Sequence, residues 1–231
     1  MEFEFIYYFF IFYIGACIGS FSIAAANRIA NNKDYIYEPS HCDSCNTILK
    51  FYEKLPILSW IIQKNRCNYC GATIGFNIFA AELISGLLFI VVIFIFGFNL
   101  QGFYFLILTG LLFAMTLSCL NSKAILDSWL GIFIIISILP IGYDFSSKLQ
   151  NFLIFCGGFF LLDFFVTYYI QNIKSKIIND IQLQSQKALG EADMIIAGAM
   201  GANLGIAFGI SSILLASCLA IIPSILNNIY K

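Results

Sequence analysis

Apolar residues in this chain form long, nearly unbroken runs separated by shorter polar stretches. A membrane-spanning helix needs roughly 20 mainly apolar residues. We therefore predict an all-α polytopic membrane protein with about seven transmembrane helices, with six to eight allowed. The predicted spans are residues 5–26, 76–98, 103–120, 129–143, 152–170, 194–210 and 212–226. Another division of the chain, in which residues 57–62 dip into the membrane interface, stays open.

Composition supports lipid as the solvent of this chain. The sequence is 60% hydrophobic and 11% charged, whereas a soluble domain carries about 25% charged residues. The first apolar run lacks a basic flank and is too long for a signal peptide, so we read it as a retained span. A net charge of -1 argues neither for nor against a nucleic-acid partner. The expected partner is the lipid bilayer, and no nucleic acid is expected.

The basic residues predict the orientation of the spans, because Lys and Arg accumulate on cytoplasmic loops. With the N-terminus outside and seven crossings, all basic residues except Lys148 face the cytoplasm. The cytoplasmic set is Arg28, Lys33, Lys50, Lys54, Lys64, Arg66, Lys123, Lys174, Lys176, Lys187 and Lys231. This orientation places Asp127 and Asp193, which open the fourth and sixth predicted spans, at the same cytoplasmic face.

Two cysteine pairs lie in the first cytoplasmic loop, in the stretches "CDSC" and "CNYC". Four soft ligands in two close pairs suit a tetrahedral zinc site, and cytoplasmic thiols favour metal over disulfides. We predict that Cys42, Cys45, Cys67 and Cys70 hold a structural zinc ion, with His41 a bystander. The alternative is a disulfide pair or four idle thiols. The predicted domains are a first transmembrane helix (1–27), this zinc-binding loop (28–75) and a transmembrane domain (76–231).

Acidic residues in or near lipid are costly, so a functional role is the default hypothesis for each of them. The candidates are Glu82, Asp127, Asp163 and Asp193. For Glu82 and Asp163 we favour a structural hydrogen bond over catalysis, and an isolated Asp127 or Asp193 would suit a helix N-cap.

Two carboxyls at one membrane face allow a different reading. They cannot both ionise cheaply, so one keeps its proton while the other accepts one from water. That division of roles is aspartyl-protease chemistry. Gly190 and Ala192, the small residues beside Asp193, would let a substrate backbone approach closely.

Three stretches together resemble the type IV prepilin peptidases, the bifunctional leader peptidases and N-methyltransferases of the GXGD-type aspartyl proteases. They are "GSFSIAAANR" at 19–28, the tetracysteine stretch at 42–86 and "GEADMIIAGAMGANLG" at 190–205. The resemblance implies a bacterial inner-membrane enzyme with a cytoplasmic catalytic face. Its substrates would be prepilins or pseudopilins, whose leaders it removes. It also implies methylation of the new N-terminus from S-adenosylmethionine.

The resemblance matches two of the family's motif aspartates to aspartates of this chain and a third to a cysteine. Asp193 matches the GXGD aspartate, with Ala192 in place of a glycine, and Asp127 matches a second motif aspartate. The family's other catalytic aspartate falls on Cys119, whose thiol is a poor substitute because it binds its proton more tightly. We predict that Asp127, two helical turns on, takes that role beside Asp193. The alternatives are an inactive chain and a contribution from Asp163.

The predicted function is thus a membrane aspartyl endopeptidase acting on prepilin-like proteins. One rival is a catalytically impaired scaffold of a pilus or secretion system. Another is a small proton-coupled transporter, which would carry inverted repeats or broken helices. The sequence shows neither of these transporter features, and a transporter would leave the cysteine loop unexplained.

Overall fold

The computed structural model describes residues 2–31, 34, 39–122, 125–174, 187 and 189–229. Helices dominate this part of the chain, joined by a non-helical segment that carries the four loop cysteines. In chain order the elements are α1 (Glu2–Ala30), a 3₁₀ turn (Phe51–Lys54), α2 (Leu58–Ile62), α3 (Phe76–Phe96), α4 (Leu100–Ser122), α5 (Asp127–Ser137), α6 (Phe145–Tyr168), a π-helical turn (Tyr169–Lys174) and α7 (Glu191–Ile229).

Within the described residues, five helices are long and apolar enough to cross a membrane, which is fewer than the seven predicted but confirms the fold class of an all-α polytopic membrane protein. They include Ile6–Ala30, Phe76–Phe96, Leu100–Asn121, Phe145–Ile173 and Glu191–Leu219. Helix α5 is apolar but has only 11 residues. Lys33, Lys123, Lys176 and Lys231, on which the predicted orientation partly depends, lie outside the described residues.

The boundaries of the last two predicted spans differ from the structure. Helix α7 contains residues 194–210 and 212–226 and consists of two helical segments that meet at a kink at Gly205 (φ 74°, ψ 178°), so the division between them lies six residues before the predicted one at residue 211. Glycine takes this positive φ at little cost. At the predicted division, Ser211 and Ser212 donate their hydroxyls to the carbonyls of Phe208 (3.0 Å) and Gly209 (2.9 Å) within the helix.

The first compact unit, Met1–Trp129, is built on the packing of α1 against α3 and α4. Glycine permits the close contact between α1 and α3: a Cβ added at Gly19 would lie 2.7 Å from the Ala81 carbonyl oxygen. Small residues at such crossings are a common device of membrane helices. The opening motif "GSF" therefore has a packing role, which brings α1 alongside the first turns of α3.

The second compact unit, Leu130–Lys231, is built mainly on the packing of α6 against α7. The ring of Phe155 lies against Gly201 and Gly209 of α7 and is buried. Lys148 is also fully buried, and its Nζ donates to Asn203 Oδ1 at 3.1 Å. A buried ammonium group needs such polar partners because desolvation of a charge is costly.

Candidate functional site

The four loop cysteines lie on two turns of the same design. In the first turn, the Cys42 amide donates to the Thr47 carbonyl (3.0 Å); in the second, the Cys67 amide donates to the Ala72 carbonyl (2.8 Å). The residue after the second cysteine of each pair has a positive φ, 54° at Asn46 and 71° at Gly71. We call these two turns the knuckles (residues 41–48 and 66–73). Each knuckle is closed by one β-bridge between its end residues.

The knuckles bring all four sulfur atoms within 4.8 Å of one another. The Sγ atoms of Cys42 and Cys70 lie 3.8 Å apart. A tetrahedral ion with metal–sulfur bonds of ~2.3 Å requires sulfur atoms about 3.8 Å apart. No disulfide joins them, since all four cysteines are free. The arrangement could therefore bind a metal ion through the ligands that the sequence predicted, without His41.

Hydrogen bonds within the knuckles favour thiolates at two positions. The Thr47 hydroxyl lowers the pKa of the Cys45 thiol to about 6. Backbone hydrogen bonds from Cys70 and Tyr69 lower the pKa of Cys67. At Cys70 a backbone hydrogen bond from Ala72 lowers the pKa, but burial and the neighbouring thiols raise it to about 11. Four thiolates at this spacing repel one another and need a cation to balance their charge.

Glu53 joins the 3₁₀ turn to the second knuckle. Its carboxylate accepts hydrogen bonds from the Lys50 amide (2.8 Å), the Asn68 amide group (2.8 Å) and the Tyr69 hydroxyl (3.4 Å). The Lys50 amide, followed by the Asn68 side chain, holds the pKa of Glu53 below its ordinary value. Glu53 is therefore ionised at neutral pH and fixes the residues between Cys67 and Cys70.

Glu82 anchors a strained turn against α3. Its side chain is buried, and Oε2 accepts the Ile57 amide at 2.6 Å. Ile57 has φ 64° and ψ -51°, and the Leu58 amide donates to the Pro56 carbonyl at 2.6 Å. This is a γ-turn of the strained, positive-φ kind. The structural hydrogen bond expected for Glu82 is thus present, with the Ile57 amide as its donor.

A cavity of about 280 Å³ lies between the end of α1, the knuckles and the first turns of α3. Asn27, Arg28, Glu53, Trp60 and Glu82 are among its lining residues. The indole Nε1 of Trp60 is buried and has no hydrogen-bond partner among the described residues. The cavity is therefore lined by two acidic residues whose carboxylates are held by hydrogen bonds from the protein.

Asp193 and Asp163 hold neighbouring amides of the loop before α7. Asp193 Oδ2 accepts the Gly190 amide at 3.0 Å, and Asp163 Oδ1 accepts the Leu189 amide at 2.9 Å. Since adjacent amide nitrogens are under ~4 Å apart, the two carboxylate oxygens lie within about 10 Å of each other. Asp163 also accepts the Thr167 hydroxyl at 3.1 Å. The structural hydrogen bond expected for Asp163 is present, and Asp193 caps its own helix from the third position.

Asp127 and Cys119 lie at helix ends in the first unit. Asp127 is the exposed first residue of α5, and Cys119 is exposed in the last turn of α4. The argument that two helical turns bring Asp127 onto the face of Cys119 is wrong, because α4 ends at Ser122 and Asp127 begins another helix. Asp127 belongs to the first compact unit and Asp193 to the second. Their pairing stays a prediction.

The region around the four cysteines matches a known protein family. The model of the bacterial peptidase A24 N-terminal domain matches residues 13–96, which cover most of α1, both knuckles and all of α3. Residues 13–96 are thus similar to this domain, and we refer to them as the A24 N-terminal domain. Within it lie the four cysteines, the Glu53 cluster and the Glu82-bound turn.

Curated relatives extend the similarity. The "Prepilin leader peptidase/N-methyltransferase" of Myxococcus xanthus is 34% identical over 45% of this chain and 31% of its own length. The protein of the same name from Bacillus subtilis is 36% identical over 44% of this chain and 41% of its own length. The "Type 4 prepilin-like proteins leader peptide-processing enzyme" of Escherichia coli is 24% identical over 82% of this chain and 67% of its own length. No solved structure matches the chain.

The resemblance to prepilin peptidases is thereby confirmed. The chain spans less than half of the length of the first two relatives.

Sequence reasoning missed two features of the A24 N-terminal domain. One is Glu53, whose role depends on contacts with Asn68 and Tyr69. Its spacing from Lys50 is that of a capping box, but Lys50 is not a typical cap residue, so the signal is hidden. The other is Ile57, because no sequence pattern predicts a positive φ at a β-branched residue.

Proposed function

We propose that this chain is a membrane aspartyl endopeptidase that removes the leader of prepilin-like proteins at the cytoplasmic face of a bacterial inner membrane. The observation that carries the proposal is the A24 N-terminal domain at residues 13–96. A relative whose name states leader-peptide processing supports it, since the similarity extends over 82% of this chain. The proposed domains remain a first helix (1–27), a knuckle loop (28–75) and a peptidase domain (76–231).

Hydrolysis requires two carboxyl groups in different protonation states. The ionised carboxyl takes a proton from water as the water oxygen bonds to the scissile carbonyl carbon, and the neutral carboxyl protonates the carbonyl oxygen. As the carbon–nitrogen bond breaks, a proton passes to the leaving amine. We assign one of these roles to Asp193, which stands exposed at the first turn of α7. Gly190 and Ala192 leave room for the substrate backbone beside it.

Two residues compete for the role of the second carboxyl. Asp127 is supported by its match to the family's second aspartate motif. Asp163 is supported by geometry, since it lies in the same compact unit as Asp193 and holds the amide next to the one that Asp193 holds. These two hydrogen bonds limit the separation of the Asp163 and Asp193 carboxylate oxygens to about 10 Å. Two carboxyls bridged by one water molecule lie closer together than this limit.

The test is cleavage of a prepilin by purified protein in detergent, followed as a size shift. We expect Asp193→Asn to abolish cleavage, because an amide neither accepts nor supplies the proton that the reaction moves. Asp127→Asn and Asp163→Asn identify the second carboxyl by which of them is also inactive. Asp144→Asn, an exposed acid that precedes α6, serves as the control and should cleave normally. Normal cleavage by Asp193→Asn would refute the proposal.

One observation favours a second candidate function, a non-catalytic scaffold of a pilus or secretion system. The family's catalytic aspartate falls on Cys119, whose thiol is exposed at the end of α4. If the native chain cleaves nothing and Cys119→Asp creates cleavage, the scaffold is favoured. Cleavage by the native chain, unchanged in Cys119→Asp, favours the peptidase.

We propose zinc as the metal of the knuckles. Four cysteine sulfurs in a closed tetrahedral set are the donor chemistry of structural zinc, and the measured sulfur separations fit that ion. The site leaves no open position for substrate, so its role is to hold the two knuckles together.

We also propose that the cavity of the A24 N-terminal domain binds S-adenosylmethionine, which when bound supplies a methyl group for the new N-terminus. Its lining supports the proposal, because the acidic residues Glu53 and Glu82 and the aromatic ring of Trp60 suit a cationic ligand. Titration calorimetry of the purified protein with S-adenosylmethionine tests this, and Glu82→Gln should weaken binding. Absence of binding to the native protein would refute the methyltransferase part alone.

A further inference from the structure

A short helix beside the knuckles turns an apolar face outward. In α2, the exposed fractions of Leu58, Ile61 and Ile62 are 47%, 56% and 74%. Residues at this i, i+3, i+4 spacing share one face of a helix. Phe51 and Tyr52, in the preceding 3₁₀ turn, are also exposed. A contiguous apolar surface of this kind marks an interaction site.

Contacts with α3 fix where this face lies along the membrane-spanning helix. The Ile57 amide donates to Glu82 Oε2 at 2.6 Å. The Trp60 ring stacks on Phe79 with the ring centres 4.6 Å apart. It also packs edge-to-face with Phe76, with the ring centres 6.3 Å apart. Helix α2 therefore lies alongside the first two turns of α3.

The length of α3 shows how deep α2 lies relative to the hydrocarbon core of the membrane. The helix has 21 residues, about 31 Å at the usual helical rise, which matches the ~30 Å of a hydrocarbon core. All of α3 is therefore needed to cross the membrane, and its first residue, Phe76, marks the boundary of the lipid. Glu82 lies ~9 Å further along the axis. A segment bonded to Glu82 and stacked on Phe79 is at the level of the lipid.

Charges around α2 complement a phospholipid surface. The basic side chains before and after the helix are exposed; they are Lys50, Lys54, Lys64 and Arg66. The acidic Glu53 between them is buried and turned toward the second knuckle. Basic residues flanking an apolar helical face are the pattern of helices that lie in a membrane interface, where cations meet phosphate groups.

We propose that the apolar face of α2 inserts into the lipid leaflet at which α3 begins, and so anchors the metal-binding knuckles to the membrane surface. The anchor is independent of the peptidase proposal, since it depends only on the first compact unit. The Glu82-bound turn at Ile57 sets the direction of the inserted face.

Fluorescence quenching in nanodiscs tests the anchor on the full chain. The two tryptophans are replaced (Trp60→Phe, Trp129→Phe), and a single reporter is introduced by Ile62→Trp. Ile48→Trp is the matched control, because Ile48 is an exposed isoleucine (60%) on the first knuckle. With bromine on the acyl chains of a phosphatidylglycerol and phosphatidylcholine bilayer, we expect blue-shifted, quenched emission from position 62. Emission from position 48 should be unquenched and water-like.

Three outcomes would overturn the proposal. The first is water-like, unquenched emission from position 62. The second is equal quenching at positions 62 and 48, which would mean that insertion is not confined to α2. The third is shielding of position 62 only after a prepilin is added, which would make a protein helix the occupant.

The native chain supplies an independent measurement in case Trp60→Phe loosens α2. Lipids with a photoreactive group on the acyl chain should label peptides containing residues 58–62, and not those containing 46–49. Labelling of 46–49 alone would count against the anchor.

Discussion

The hydrogen bond between Glu82 and the Ile57 amide allows us to predict how much the turn at Ile57 is destabilised when Glu82 is replaced. A hydrogen bond to a charged group contributes about 1.5–3 kcal/mol, and one between neutral groups about 0.5–1.5 kcal/mol. Glu82→Gln keeps an acceptor oxygen at the same position, so we expect a loss of ~1 kcal/mol in the free energy of local opening, the difference between those two ranges. Glu82→Ala removes the acceptor and leaves a buried amide unpaired, at a cost of about 1.5–3 kcal/mol.

Hydrogen exchange of a peptide covering residues 55–60, measured by mass spectrometry in detergent, reads this opening directly. A change of ~1 kcal/mol corresponds to about fivefold faster exchange, and 1.5–3 kcal/mol to roughly 10–150-fold. Ser85→Ala is the matched control, because Ser85 is buried one turn further along α3 and its hydroxyl has no hydrogen-bond partner among the described residues. Unchanged exchange in Glu82→Ala would show that Glu82 does not hold the turn.

Three further predictions concern the A24 N-terminal domain. Purified protein should contain close to one zinc per chain by elemental analysis; Cys67→Ser should lose it, whereas Cys156→Ser, a half-buried thiol of α6, should keep it. Glu53→Gln should weaken zinc binding about tenfold, measured by competition with a chelator, because loss of a hydrogen bond that supports metal ligands costs at least that much. Unchanged affinity would show that the hydrogen bonds of Glu53 do not support the metal site. Gly19→Val should lower the thermal unfolding midpoint, because its Cβ would lie 2.7 Å from a carbonyl oxygen of α3, and a wild-type midpoint would contradict the close packing.

The sequence predicted the metal site well because its determinants are local. Two residues separate the cysteines of each pair, and each turn closes through its own backbone, as in the bond from the Gly71 amide to the Cys67 carbonyl (2.9 Å). The start of α3 at Phe76 was also predicted correctly, since the apolar run begins there without a polar interruption. Features that depend on one short stretch of chain could be read from that stretch.

Features that depend on tertiary contacts could not be read in this way. The break in α7 falls at Gly205, six residues before the predicted division at residue 211, where the Ser211 hydroxyl instead bonds to a carbonyl within the helix. Glu82 and Asp163 were recognised as acids in apolar helices, but their partners, the amides of Ile57 and Leu189, are 25 and 26 residues away. No periodicity in the sequence links such pairs.

A short series of hydrogen bonds in the A24 N-terminal domain connects the four-cysteine cluster to α3. The second knuckle is bonded to Glu53 through Asn68, and the 3₁₀ turn that carries Glu53 leads directly into the Ile57 turn. The Ile57 turn is in turn bonded to Glu82 of α3. The two residues that flank this knuckle are paired by the bond from the Ile74 amide to the Asn65 carbonyl (2.7 Å), and α3 begins two residues after Ile74. The segment thus forms a closed path that leaves α3 and returns to it. A metal ion bound at one end of this path would restrict the positions open to α2 at the other, so the proposed metal site and the proposed membrane anchor would be coupled through the same hydrogen bonds.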